Sequence, residues 1–160
     1  MQILQKIQIE KIENILGYNF IDKSILIKAF THSTFANEHG IDSNEKLEFL
    51  GDSVLGFVVS TMLYDRDLND EEVLTVARSK IVENENLQTK VDELGLIEFL
   101  IYGKCFDKKK DLKERVKAGL FEAIVGAVYL DGGLENVKKF VVMIFDKKEV
   151  RKAIFSKGIK

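Results

Sequence analysis

Asn44-Glu45-Lys46-Leu47-Glu48-Phe49-Leu50-Gly51-Asp52-Ser53-Val54-Leu55 decides how this chain is read. At about 100° per residue, positions i, i+3 and i+7 share one helix face, so Glu45, Glu48 and Asp52 line up. Leu47, Leu50, Val54 and Phe57 fall on the remaining sides, which predicts a helix buried over most of its surface. A carboxylate withdrawn from water is costly unless it is paired or metal-bound. Gly51 and Gly56 each cost a helix interior about 1 kcal/mol relative to alanine. Close approach of another helix, or of a ligand, is the expected compensation.

Composition narrows the class. The chain has 160 residues, 46% of them hydrophobic, which suits one compact domain. Acids (26) nearly balance bases (24), and the net charge of −2 gives no global pull toward nucleic acid; such binding would need a local basic patch. One cysteine, Cys105, excludes an intrachain disulfide, and with only His32 and His39 a Cys/His zinc site is a poor fit. The longest apolar runs, such as residues 54–62, are short and interrupted for a bilayer span. The first residues lack the apolar core of a signal peptide. The expectation is a cytoplasmic protein with no membrane partner. Prolines are absent and strand signals are few, so the predicted fold is all-α.

In chain order, helical spacing runs over residues 3–16 and stops at Gly17. Asp22 caps a short helix over 23–30. Residues 36–43 are polar and read as a loop. The central helix covers 45–64. Asn69, with Glu72 three residues on, suggests a capping box for a helix through Val82. A break at Glu83 or Asn84 precedes a helix over 87–94, with Gly95 as its stop. Residues 96–102 fit either a helical turn or a brief extended piece. Residues 103–113 read as an exposed basic loop. A helix to Leu130 follows, Asp131-Gly132-Gly133 stops it, and a last amphipathic helix covers 134–145. The domain is placed at 1–146, with a basic C-terminal tail at 147–160 that carries Lys147, Lys148, Arg151, Lys152, Lys157 and Lys160.

A third acid of interest stands in Leu120-Phe121-Glu122-Ala123-Ile124-Val125-Gly126-Ala127. Two carboxylates from one helix and one from a facing helix make an all-oxygen pocket, suited to Mg²⁺ or Mn²⁺. Such an ion activates water and stabilises charge on a phosphoryl oxygen, so phosphodiester hydrolysis is the matching reaction class. The plainer alternative is that Glu45 and Glu48 are solvated face charges beside Lys46.

Residues 44–55 closely resemble the signature of the ribonuclease III family, with Lys46 where the family has arginine. Phe30-Thr31-His32-Ser33, the segment 74–82 with Arg78, and the segment 120–133 resemble three further family blocks. The resemblance runs from about Ile12 to Phe145. It implies a dimeric, all-helical endonuclease domain that cuts double-stranded RNA with Mg²⁺, for which Mn²⁺ can substitute, leaving 5′-phosphate and 3′-hydroxyl ends. By position, Glu48, Asp52 and Glu122 match the family's metal-binding acids. Glu45 matches an acid that engages substrate, and with Asp52 and Glu122 it makes up the expected catalytic set. Phe49 matches the aromatic residue that enters the partner subunit of a homodimer.

The chain departs from the family at Gly119, where the family has an aspartate on the same helix face as Glu122. Three readings follow: a water fills the gap and the metal is held more weakly; the domain binds duplex RNA without cutting; or the glycine was introduced. The first is preferred. Bacterial members usually carry a C-terminal double-stranded-RNA-binding domain after this region, whereas this sequence stops at Lys160. Either Lys108, Lys109, Lys110 and the tail contact phosphates in its place, or the chain is a fragment. Arg78 is expected to be structural rather than a substrate contact. His32 is expected to be a satisfied turn histidine, and Cys105 to be inert.

Overall fold

The computed structural model describes residues 2–156, with side chains from residue 8 onward. Lys157 and Lys160 of the expected tail lie outside the described residues. The elements are α1 (Gln2–Leu16), α2 (Lys23–Ala29), α3 (Ser33–His39), α4 (Glu45–Tyr64), α5 (Glu71–Val82) and α6 (Asn84–Glu93). A 3₁₀ turn (Leu96–Phe99) precedes α7 (Lys108–Asp111), α8 (Glu114–Ile144) and α9 (Lys147–Phe155). The fold is all-α. The sole extended pairing among the described residues is an isolated bridge between Thr31 and Ile101.

The core forms around α4 and α8, which share the most extensive packing in the molecule, while α6 and α2 also lie on α8. Leu47, Val54, Leu55, Val58, Val59 and Leu63 of α4 meet Leu120, Phe121, Ile124, Val125 and Val128 of α8 in one cluster. Two glycines let the backbones close. A Cβ on Gly51 would stand 1.6 Å from the Glu122 carbonyl oxygen, and one on Gly126 would stand 2.3 Å from that of Leu47. The expected compensation for Gly51 is therefore present. Gly56 has nothing within 4 Å of its Cβ position.

The start of α4 is pinned from several sides. Asn44 is buried; its side-chain amide donates to the Ala29 carbonyl (3.1 Å), and its backbone N–H donates to that of Thr31 (2.9 Å). Residues 30–32 are tied to Ile101 by His32 N–H to Ile101 O (2.8 Å) and Ile101 N–H to Phe30 O (2.9 Å). Beside the kink of α8, Asp131 accepts from the Tyr18 hydroxyl and from the N–H groups of Ile21 and Asp22. Burial and that same carboxylate push the Tyr18 phenol up to about 12.

Several boundaries differ from the sequence expectation. The start of the stretch 36–43, read as a loop, is instead the second half of α3, held by tertiary bonds: Gly103 N–H donates to Thr34 Oγ1 (3.0 Å) and Lys104 N–H to Glu38 Oε1 (2.7 Å). Asp70, not Asn69, caps α5, accepting from Glu72 and Val73 N–H. Residues 96–102 are both things expected of them, a 3₁₀ turn and then the bridging Ile101. The stop expected at Asp131-Gly132-Gly133 is present inside α8: Gly133, at φ 76°, ψ 180°, breaks the helical backbone in a conformation that needs glycine, and two helices meet there across a kink. Residues 147–155, expected as part of a basic tail, form α9, which packs on α5. Val150, Ala153 and Ile154 bury one stripe of it, so the helix belongs to the domain.

By length and composition alone α4 could cross a membrane, which the run lengths in the sequence did not suggest. In the fold it packs against α8 and carries three acids.

Candidate active site

The α4–α8 contact places the acids. Gly51 lies between Glu48 and Asp52, one turn apart on α4, and the backbone it touches is that of Glu122. Glu45, Glu48, Asp52 and Glu122 line one open cavity of ≈ 580 Å³. Glu45 is held at the helix start, where its Oε2 accepts from the Ser43 hydroxyl (3.0 Å).

The site is wetter than the sequence suggested. Asp52 and Glu45 are exposed, and Glu48 and Glu122 are half-buried. Phe57, expected to help cover α4, is 57% exposed. Burial is the largest influence on Glu122, and with Asp52 and Glu48 facing it the carboxyl is pushed up to about 7, against the pull of Arg115. Burial likewise raises Glu48; Arg115 opposes this, while Glu45 and Asp52 add to it. Both acids are thus driven toward their neutral forms, by burial first and by neighbouring negative charge in addition.

The donor chemistry fits a hard divalent cation: oxygen ligands only, in an excess of negative charge that a cation would relieve. As the side chains stand, no three acidic, imidazole or thiol groups among the described residues are arranged to hold a metal ion. The Glu48 carboxylate lies instead against Gly119, whose Cβ would sit 2.7 Å from Glu48 Oε2.

Other expected residues separate. Phe49 lines the rim of the cavity and is 80% exposed, so it is not a core residue of this chain. It continues along α4 into an exposed face bearing Gly56, Phe57 and Tyr64. Lys108, Lys109 and Lys110 are exposed on α7, which Asp107 caps through Lys109 N–H. They do not line the acidic cavity; Lys108 Nζ lies 5.2 Å from the Tyr102 ring centroid. Arg78 donates to Ser60 Oγ (3.2 Å), joining α5 to α4. His32 caps α3 by accepting from Thr34 N–H (3.3 Å) and also lines the acidic cavity; burial lowers its pKa.

Asp111, Lys113 and Arg115 also line the cavity, and the sequence reading had not placed them there. Arg115 could have been found, because it stands seven residues before Glu122 and so on the same helix face. Asp111 sits at the end of a four-residue helix, where no periodicity points to it.

A family model described as "Ribonuclease-III-like" matches residues 22–148. Ribonuclease 3 of Symbiobacterium thermophilum is 44% identical over 130 residues, covering 79% of this chain and 55% of that protein. Ribonuclease 3 of Protochlamydia amoebophila is 42% identical over 143 residues, covering 86% of this chain and 59% of its own. The chain therefore spans a little over half the length of these curated relatives. Among solved structures, the nuclease domain of ribonuclease III from Campylobacter jejuni superposes with a TM-score of 0.77 at 33% identity. The match covers 85% of this chain and 94% of that one, and that structure's description concerns flexibility in a region involved in dimer formation.

Proposed function

Because the chain belongs to the ribonuclease III family, we propose that it is an endonuclease domain that cuts double-stranded RNA by phosphodiester hydrolysis. The products carry 5′-phosphate and 3′-hydroxyl ends, and the role is RNA processing. The observation that carries this reading is the convergence of Glu45, Glu48, Asp52 and Glu122, from two helices, on one open cavity.

Glu48, Asp52 and Glu122 would hold Mg²⁺, or Mn²⁺ in its place. Bound there, the ion supplies an activated water and neutralises charge developing on the phosphoryl oxygens. Glu122 is fixed by its helix backbone against Gly51, so its carboxylate is aimed by the fold rather than by a loop. Glu45, held by Ser43, orients the RNA strand at the mouth of the cavity. The cavity is open to solvent, as a duplex cutter requires.

Two copies would pair through the exposed face of α4. Phe49, Phe57 and Tyr64 are 80%, 57% and 81% exposed, and large apolar side chains grouped on one face mark an interaction surface. A homodimer with Phe49 entering its partner accounts for them. Lys108, Lys109 and Lys110, exposed outside the cavity, would meet phosphates farther along the duplex.

A second reading, duplex-RNA binding without efficient cutting, is favoured by one observation: the Glu48 carboxylate occupies the Gly119 side, and among the described residues no metal-holding trio is formed as the side chains stand. The experiment that separates the two is incubation of an end-labelled RNA duplex with the chain and Mg²⁺ or Mn²⁺. Products whose new 5′ ends are phosphatase-sensitive support the endonuclease. A shifted but intact duplex supports the binding module.

A further inference from the structure

Arg115 lines the acidic cavity yet has no pairing role in the fold. It is exposed, and among the described residues no ion pair within 4 Å joins it to Glu45, Glu48, Asp52 or Glu122. Positions 115, 119 and 122 fall on one face of α8, spaced i, i+4 and i+7. That face looks across the cavity at the acids of α4, with no side chain at Gly119 between Arg115 and Glu122. Lys113 lines the same side. An arginine committed to the acids would close on them in a bidentate pair; this one is left free. Its planar fork of donors matches the non-bridging oxygens of a phosphodiester.

We infer that Arg115 is a substrate-contacting residue, binding a phosphate of the RNA strand that lies across Glu48, Asp52 and Glu122. This rests on the duplex-RNA reading given above. The acids on one wall and the guanidinium on the other would hold the strand between them. Gly119 adds no side chain of its own between the two walls; the Glu48 carboxylate lies over it.

The test uses the full chain carrying Glu122→Gln, so that duplex is bound without turnover, with Mg²⁺ present and binding to a fluorescent RNA duplex read by anisotropy. Adding Arg115→Gln should weaken binding about tenfold and flatten the log–log salt slope by about one. Arg115→Lys should recover part of the loss, and Lys139→Gln, an equal charge change remote from the cavity, should alter neither. Affinity and slope unchanged in Arg115→Gln, with only its Mg²⁺ affinity raised, would make Arg115 a mere counter-charge and overturn the inference while leaving the duplex-RNA reading intact. A folded Glu122→Gln parent with no duplex affinity at all would overturn both together.

Discussion

The carboxylate of Glu48 lies where a side chain on residue 119 would begin, 2.7 Å from the Cβ position of Gly119. The missing side chain on α8 and the lean of the acid on α4 are one feature. The contact is with the end of a flexible side chain, which can rotate away. Gly119→Ala should therefore gain about 0.5–1 kcal/mol of helix stability, measured by urea unfolding. A loss instead would mean that Glu48 cannot move. Gly119→Asp adds a like charge beside Glu48, so without metal it should be less stable than Gly119→Ala. It should also show the larger rise in Tm on adding Mg²⁺.

Gly51 and Gly56 should behave oppositely although both sit within α4. Gly51→Ala would drive a methyl group into the Glu122 carbonyl and should cost about 3 kcal/mol or more. Gly56→Ala meets open space within the chain and should raise monomer stability by about 0.5–1 kcal/mol. Thermal unfolding of the two variants checks this; equal effects would refute the close α4–α8 approach.

The crowded acids set a pH dependence. The Glu122 carboxyl is raised from 4.5 to about 7 in the folded chain, so the folded state holds the extra proton. That contribution to stability is complete below pH 4.5 and is lost as pH rises through about 7. Metal-free protein should thus lose about 1–2 kcal/mol across that window after allowance for solvent screening. Glu122→Gln should flatten the profile and be more stable than the parent above pH 7. A Glu122→Gln profile that matches the parent would contradict the repulsion described here.

Much of this arrangement was legible in the chain itself. The bounds of α4, the stop at Gly17 and the Asp22 cap follow from spacing and local chemistry. That Glu122 belongs with Glu48 and Asp52 rests on the resemblance to the ribonuclease III family, since spacing alone reads Glu45 and Glu48 equally well as solvated charges. What was not legible depends on distant partners. Residues 33–39 are helical between a His32 cap and a left-handed Gly40, and Thr34 and Glu38 are held by residues 103 and 104; the distant bonds are what no local pattern announces. Helix α9 looked like a charged tail because its buried stripe, Val150, Ala153 and Ile154, is only three residues wide among lysines. The exposure of Asp52 and Phe57 also escaped periodicity, since a helix face can be apolar and still lack a neighbour within its own chain.

The exposed face of α4 gives a test of assembly. Phe49→Ala removes a side chain that is 80% exposed in the single chain, so it should change monomer stability by less than about 0.5 kcal/mol. In sedimentation, it should weaken self-association by about 2 kcal/mol, near thirtyfold. A dimer constant that does not move would place the partner surface elsewhere.

The central claim is that acids from α4 and α8 form one hydrolytic site. The measurement that tests it most directly is cleavage of a labelled RNA duplex in Mg²⁺ and in Mn²⁺ by the chain itself, by Glu122→Gln and by Gly119→Asp. The account predicts discrete 5′-phosphate products from the parent, faster cutting by Gly119→Asp, and a loss of at least about a hundredfold in Glu122→Gln. Cleavage by Glu122→Gln at the parent's rate would contradict it.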